Sequence, residues 1–132
     1  MTILNQALAL ASRGFHIFPL RPWDPAKKGQ PGNGKLPAHR GWQDEATRDE
    51  AQIAKWFSNR SFNIGISTSK FGDDKALCVV DIDDKGAKHG SETLLGLELD
   101  GIEFPVTCEH ATPSGGRHLL YVCDAQIGRA HV

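Results

Sequence analysis

Apolar residues recur at helical spacing from the start of the chain, with Ile3, Leu4, Ala7, Leu8 and Ala11 on one stripe. Thr2 stands where a cap belongs and Gly14 where a helix ends, so the pattern predicts a helix over 2–13. A dense apolar run predicts a strand over 15–20, stopped by Pro22. The next twenty residues hold four prolines (Pro22, Pro25, Pro31, Pro37) and four glycines (Gly29, Gly32, Gly34, Gly41), and no regular element is expected through them. A loop of that length inside a compact domain is usually functional or mobile. Thr47-Arg48-Asp49-Glu50 fits a capping box, opening a helix that buries Ile53, Trp56 and Phe57. Strands follow over 63–67 and 76–83, separated by a turn through Gly72-Asp73-Asp74, whose acids read as turn residues and not as ligands. A helix is expected at 91–99, ended near Gly101, and strands over 106–110 and 117–122 would pair as a hairpin around Pro113-Ser114-Gly115-Gly116. The chain shows no internal repeat, and the pattern is a mixed α/β one in which apolar strands end at polar residues.

Composition narrows the class. A chain of 132 residues suits one domain, and 39% hydrophobic with 23% charged residues is ordinary for a soluble globular protein. No apolar run is long enough to cross a bilayer and no basic segment precedes a long apolar stretch, so a cytoplasmic protein without membrane partners is expected. Cys78, Cys108 and Cys123 are odd in number, lack CxxC spacing and fall in expected strands, where a free Cys behaves as a small buried hydrophobe. Cys108 with His110 falls short of the four-ligand spacing of structural zinc. A net charge of −1 does not advertise a nucleic-acid binder. Locally the balance differs: Arg21, Lys27, Lys28, Lys35 and Arg40 face a single acid, Asp24. Such a loop is either simply solvated or follows phosphates, with Lys35 and Arg40 as the candidates. Trp23 and Trp42 flank it; either could stack on a base, although Trp42 is better suited to anchoring the loop to the core. Trp56 reads as core, and His16, His39, His89 and His110 gain no function from position alone.

Candidate chemistry lies in two segments. In Val79-Val80-Asp81-Ile82-Asp83 side chains alternate, so Asp81 and Asp83 would stand side by side while Val80 and Ile82 enter the core. Adjacent carboxylates repel one another unless a cation lies between them, and hard oxygen ligands suit Mg²⁺ or Mn²⁺. A strand that merely ends in solvated acids would look the same. Asp84 alternates to the other face and enters a Lys85-Gly86 turn. In Thr112-Pro113-Ser114-Gly115-Gly116-Arg117-His118 a Gly-Gly turn delivers an Arg and a His on a strand. Ser114, Gly115 and Gly116 can bring main-chain N–H groups towards a triphosphate, while Arg117 alternates away from the face of His118. Together the segments look like half of a metal-dependent phosphoryl- or nucleotidyl-transfer site.

These residues, in this order, resemble the N-terminal domain of bifunctional DNA primase/polymerases in the archaeo-eukaryotic primase superfamily. The resemblance runs through Gly14 to Leu20, Gly34-Lys35-Leu36-Pro37, Gly41-Trp42, Ala46-Thr47, Phe62 to Ile66, Val80 to Asp83, Phe104 to Thr107 and Thr112 to His118, and covers residues 2–124. It implies an α+β fold in which an N-terminal α/β module leads into an incomplete catalytic core similar to an RNA-recognition motif. It also implies nucleotidyl transfer: primers made or extended from nucleoside triphosphates on a single-stranded DNA template. Asp81 and Asp83 would be metal ligands for Mg²⁺ or Mn²⁺, and His118 would contact the phosphates of the incoming nucleotide. Ser114, Gly115, Gly116, Arg117 and Lys35 complete the implied nucleotide-binding set. Such domains accompany helicases in phage and plasmid replication proteins, so a helicase domain or subunit is expected in the parent.

One departure matters. The family completes its metal site with a third carboxylate well downstream of the His motif, and here only Asp124 follows His118, too closely to match. The expectation is a truncated domain over 1–126 that is inactive or nearly so by itself. Residues 127–132, Ile-Gly-Arg-Ala-His-Val, are what the DNA string ATC GGA AGA GCA CAC GTC encodes, which resembles a sequencing-library adapter, so a non-native tail is expected there. Two other functions remain: a phosphatase or nuclease using the same Asp pair, and a non-catalytic nucleotide- or nucleic-acid-binding module. Aspartyl-phosphate phosphatases resemble DxDx(T/V), whereas the fifth position here is Lys85.

Overall fold

A computed structural model describes residues 2–58, 61–113 and 115–124. Four α-helices and five strands follow one another as α1 (Ile3–Ser12), β1 (Phe15–Leu20), α2 (Trp42–Glu45), α3 (Glu50–Phe57), β2 (Asn63–Phe71), β3 (Lys75–Ile82), α4 (Gly90–Leu99), β4 (Cys108–Ala111) and β5 (Arg117–Asp124). The strands are hydrogen-bonded in the order β1-β2-β3-β5-β4. Neighbours run antiparallel: β1 with β2, β2 with β3 and β4 with β5 by register, and β3 with β5 because Asp81 lies beside His118 and Lys75 beside Asp124. The chain divides into two compact units, one built on Met1–Ala76 and the other on Leu77–Cys123. The expected α+β architecture is what forms.

In the first unit α1 and α3 pack on β1. Thr2 caps α1 by accepting the Asn5 N–H at 3.1 Å, and Ala7 and Ala11 are its buried residues. Gly14 ends the helix at φ +108°, and a Cβ there would come within 2.7 Å of the Phe71 ring, so both conformation and space require glycine. Phe71 pairs with Phe15 across β1 and β2, which carries β2 four residues beyond the expected Ser67. Ile53, Trp56 and Phe57 are buried as expected. The cap of α3 is not Thr47 but Asp49, whose carboxylate accepts the Gln52 N–H at 3.0 Å. The reason is backbone pairing: Thr47 exchanges hydrogen bonds of 2.8 and 2.9 Å with Ile17, which keeps it extended. Its hydroxyl instead accepts the Asp49 N–H.

The Pro/Gly-rich loop has more structure than its composition predicts. Asp24 caps a 3-10 turn over Pro25–Lys27, and the short helix α2 follows Gly41. Asn33 ties the loop to itself with three side-chain hydrogen bonds, to the Asp24 N–H and to the carbonyls of Asp24 and Lys27, between 2.8 and 3.1 Å. The Asn63 amide donates to the Gly34 carbonyl at 2.9 Å, and Leu20 bridges Pro37. Trp42 lies on Phe18 with ring centroids 4.6 Å apart, the anchoring role expected of it, and a Cβ at Gly65 would collide with the Phe18 ring at 2.5 Å.

In the second unit Ile82, Leu119 and Leu120 form the buried centre with Leu77. The three cysteines lie in strands and form no disulfide among the described residues, but Cys78 and Cys108 are exposed and Cys123 is half-buried, where burial was expected. Cys108 sits on β4, the edge strand of the sheet among the described residues.

Candidate functional site

The end of β3 brings the two acids to one place. Asp81 is the penultimate strand residue and Asp83 follows the strand, and both line a cavity of about 320 Å³ together with Val80, Ile82 and the first turns of α4. Ile82 is buried as expected, whereas Val80 is only half-buried. Each carboxylate faces a side-chain nitrogen. His118 Nε2 lies 3.3 Å from Asp81, and Lys88 Nζ lies 3.4 Å from Asp83. Both acids keep about half of their surface in solvent, 57% for Asp81 and 40% for Asp83. The Lys88 ammonium therefore already compensates Asp83 where a bound cation would, while His118 offers Asp81 a ring nitrogen.

Two glycines hold this segment in position. The Gly90 N–H donates to the Asp83 carbonyl at 2.7 Å, and a Cβ on Gly90 would come within 2.8 Å of the Asp83 backbone nitrogen. On the other side, a Cβ on Gly116 would overlap the Ile82 carbonyl oxygen. The Ile82–Asp83 peptide is thus pinched between the start of α4 and the start of β5. Gly116 has an ordinary φ, so close approach rather than conformation is what requires glycine there.

The turn before His118 is closed by Thr112. The Gly115 N–H donates to the Thr112 carbonyl at 3.1 Å, and the Gly116 N–H to the Thr112 hydroxyl at 2.9 Å. Both amides expected to reach a triphosphate are engaged within the turn. Ser114 lies outside the described residues. His118 pairs directly with His110 across β4 and β5, on the face that carries Asp81. Arg117 points away from that face, as alternation requires, and pairs with Glu109 at 3.6 Å. Lys35 belongs to the loop of the first unit, where it is exposed. Asp124, six residues along β5 from His118, is held by Lys75 at 2.8 Å, which lowers its carboxyl pKa.

Three contributors escaped the sequence reading. Lys88 faces Asp83, and its only sequence signal is a position five residues after that acid. Gly90 carries no signal outside its packing. Asp84, expected to be a turn residue, anchors α4: it accepts the Ser91 N–H at 2.9 Å and the Ser91 hydroxyl as well. Those two hydrogen bonds hold its carboxyl below the usual value. They also supply the cap that His89 does not provide.

The family model described as bifunctional DNA primase/polymerase, N-terminal, matches residues 7–130. The chain belongs to this family. No curated protein and no solved structure matches it. Family membership gives the two-acid segment its context, and the donor set can be judged against the metal that the family implies. Two hard carboxylates on one wall suit Mg²⁺ or Mn²⁺. Among the described residues no group of three His, Cys, Asp or Glu side chains is placed to hold an ion. An ion at Asp81 and Asp83 would keep water at its remaining positions.

Proposed function

We propose that this primase/polymerase-family chain contributes the nucleotide-binding half of a nucleotidyl-transfer site that makes or extends DNA primers. The observation that carries this reading is that Asp81 and Asp83 line one cavity with His118 beside Asp81. Asp81 and Asp83 would hold Mg²⁺ or Mn²⁺, which supplies charge neutralisation for the triphosphate and activation of the attacking hydroxyl. His118 donates from Nε2 to a phosphate oxygen of the incoming nucleotide, releasing its approach to Asp81 as it does so. Lys88, 3.4 Å from Asp83, would have to give up that carboxylate to an ion held there, since both seek the same oxygens. Gly90 and Gly116 fix the height of the acids, and Thr112 keeps the turn closed so that His118 stays on the acid-bearing face.

Two carboxylates bind a divalent ion weakly, and no third described ligand joins them. The 132-residue chain is therefore proposed to be inactive or nearly so, with the parent protein active beside a helicase domain or subunit. Primer synthesis and extension with Mn²⁺ or Mg²⁺ test this, comparing the chain with a form extended from its native locus. The expected result is activity in the extended form alone, lost in its Asp81→Ala/Asp83→Ala variant. Robust synthesis by the 132-residue chain would refute the inactivity. An inactive extended form would favour a non-catalytic binding module.

A further inference from the structure

Two cavities adjoin on the loop after β1, within the first unit. One, of about 340 Å³, has Arg21, Trp23 and Lys27 on its walls; the other, of about 390 Å³, has Arg21, Arg40 and Trp42. Arg21 borders both. We propose that these neighbouring cavities bind two consecutive nucleotides of single-stranded DNA, with a base against each tryptophan and the linking phosphate at Arg21.

The charge pattern points to a polyanion. None of Arg21, Lys27, Lys28, Lys35 and Arg40 enters an ion pair among the described residues, although Asp24 lies in the same loop. The Asp24 carboxylate, on the wall of the first cavity, accepts the Ala26 N–H to cap the 3-10 turn. Like charges confined to one loop repel each other, and Asn33 and Asn63 fasten the loop that holds them together. The arrangement suits an anionic ligand that arrives from outside.

The aromatic pattern points to unpaired bases. Trp23 is 52% exposed, a large apolar surface left in water beside two cations. Gly34 lies against the base of its side chain, where an added Cβ would come 3.3 Å from the Trp23 Cβ. Trp42 is held by its stack on Phe18. Stacking on tryptophan accepts any base and needs the base face free, which a single strand offers and a duplex does not. Each cavity is of nucleotide size. A free mononucleotide shares this chemistry but fills one cavity, whereas two cavities sharing a cation match a base–phosphate–base repeat.

The occupant follows from the reading that the chain works on nucleic acid, but its test involves no turnover. The intact chain is titrated, in EDTA, against a fluorescein-labelled oligothymidylate of about 12 nucleotides, a length within known single-strand site sizes. The expected results are saturable binding and about tenfold weaker binding by Trp23→Ala, with Trp23→Phe restoring most of it. In Arg21→Ala the salt dependence should flatten by about 0.7 in the log–log slope, one phosphate contact. Thymidine triphosphate should compete far less well than the unlabelled oligonucleotide. Equal binding by Trp23→Ala and wild type, equal competition by duplex or by the triphosphate, or no binding at all would each overturn the proposal. None of these outcomes bears on the carboxylates, so failure here and failure of the transferase reading are distinguishable.

Discussion

Gly116 has no room for a side chain, because the Ile82 carbonyl occupies the space where a Cβ would go. The clashing atom is backbone, so relief requires β5 to move away from β3, carrying His118 away from Asp81. Gly116→Ala is therefore expected to lower stability by about 1–3 kcal/mol in chemical denaturation, the usual cost of overpacking. Gly115, with nothing within 4 Å, does not share that constraint and is required only by its φ of +89°. Sequence reading assigned both glycines to a ligand, since a Gly-Gly turn before a His looks the same whether it cradles phosphate or packs on a neighbouring strand. Asp81, Asp83 and His118 were legible because alternation and order along the chain place them; Lys88 and Gly90 were not, because their partners are set by how α4 folds back on β3.

At the scale of elements, α4 depends on a residue outside it. Asp84 accepts both the N–H and the hydroxyl of Ser91, and these contacts lower its carboxyl pKa below 3.8. A carboxylate whose pKa is depressed by folding adds stability above its unfolded pKa and loses it as pH falls through the folded value. The thermal melting point of Asp84→Asn is thus expected to lie below that of wild type at neutral pH. The gap should narrow as pH falls below 3.8 and close once it passes the folded value. A constant gap across that range would mean that the charge of Asp84 does not hold the helix. Local pattern located α1 and α3 within a residue or two, and the helix expected at 91–99 is α4. It misplaced the α3 cap because Thr47 is claimed by a long-range bridge to Ile17, which no local pattern records. The loop was read as irregular because prolines and glycines exclude long elements, but they do not exclude the side-chain stitching that Asn33 provides.

For the whole molecule, no helix among the described residues is long and apolar enough to cross a membrane. The family match spans nearly the full chain, and the two acids with His118 stand together in the second unit. The central claim is that this trio binds a metal–nucleotide complex. Binding of a fluorescent deoxynucleoside triphosphate to the 132-residue chain, with and without Mn²⁺, tests it without requiring turnover. Binding is expected only with Mn²⁺, weakened at least about tenfold in Asp81→Asn/Asp83→Asn, as loss of a charge-paired ligand predicts. It should also weaken in His118→Ala. Mn²⁺-dependent binding that survives unchanged in Asp81→Asn/Asp83→Asn would contradict the account.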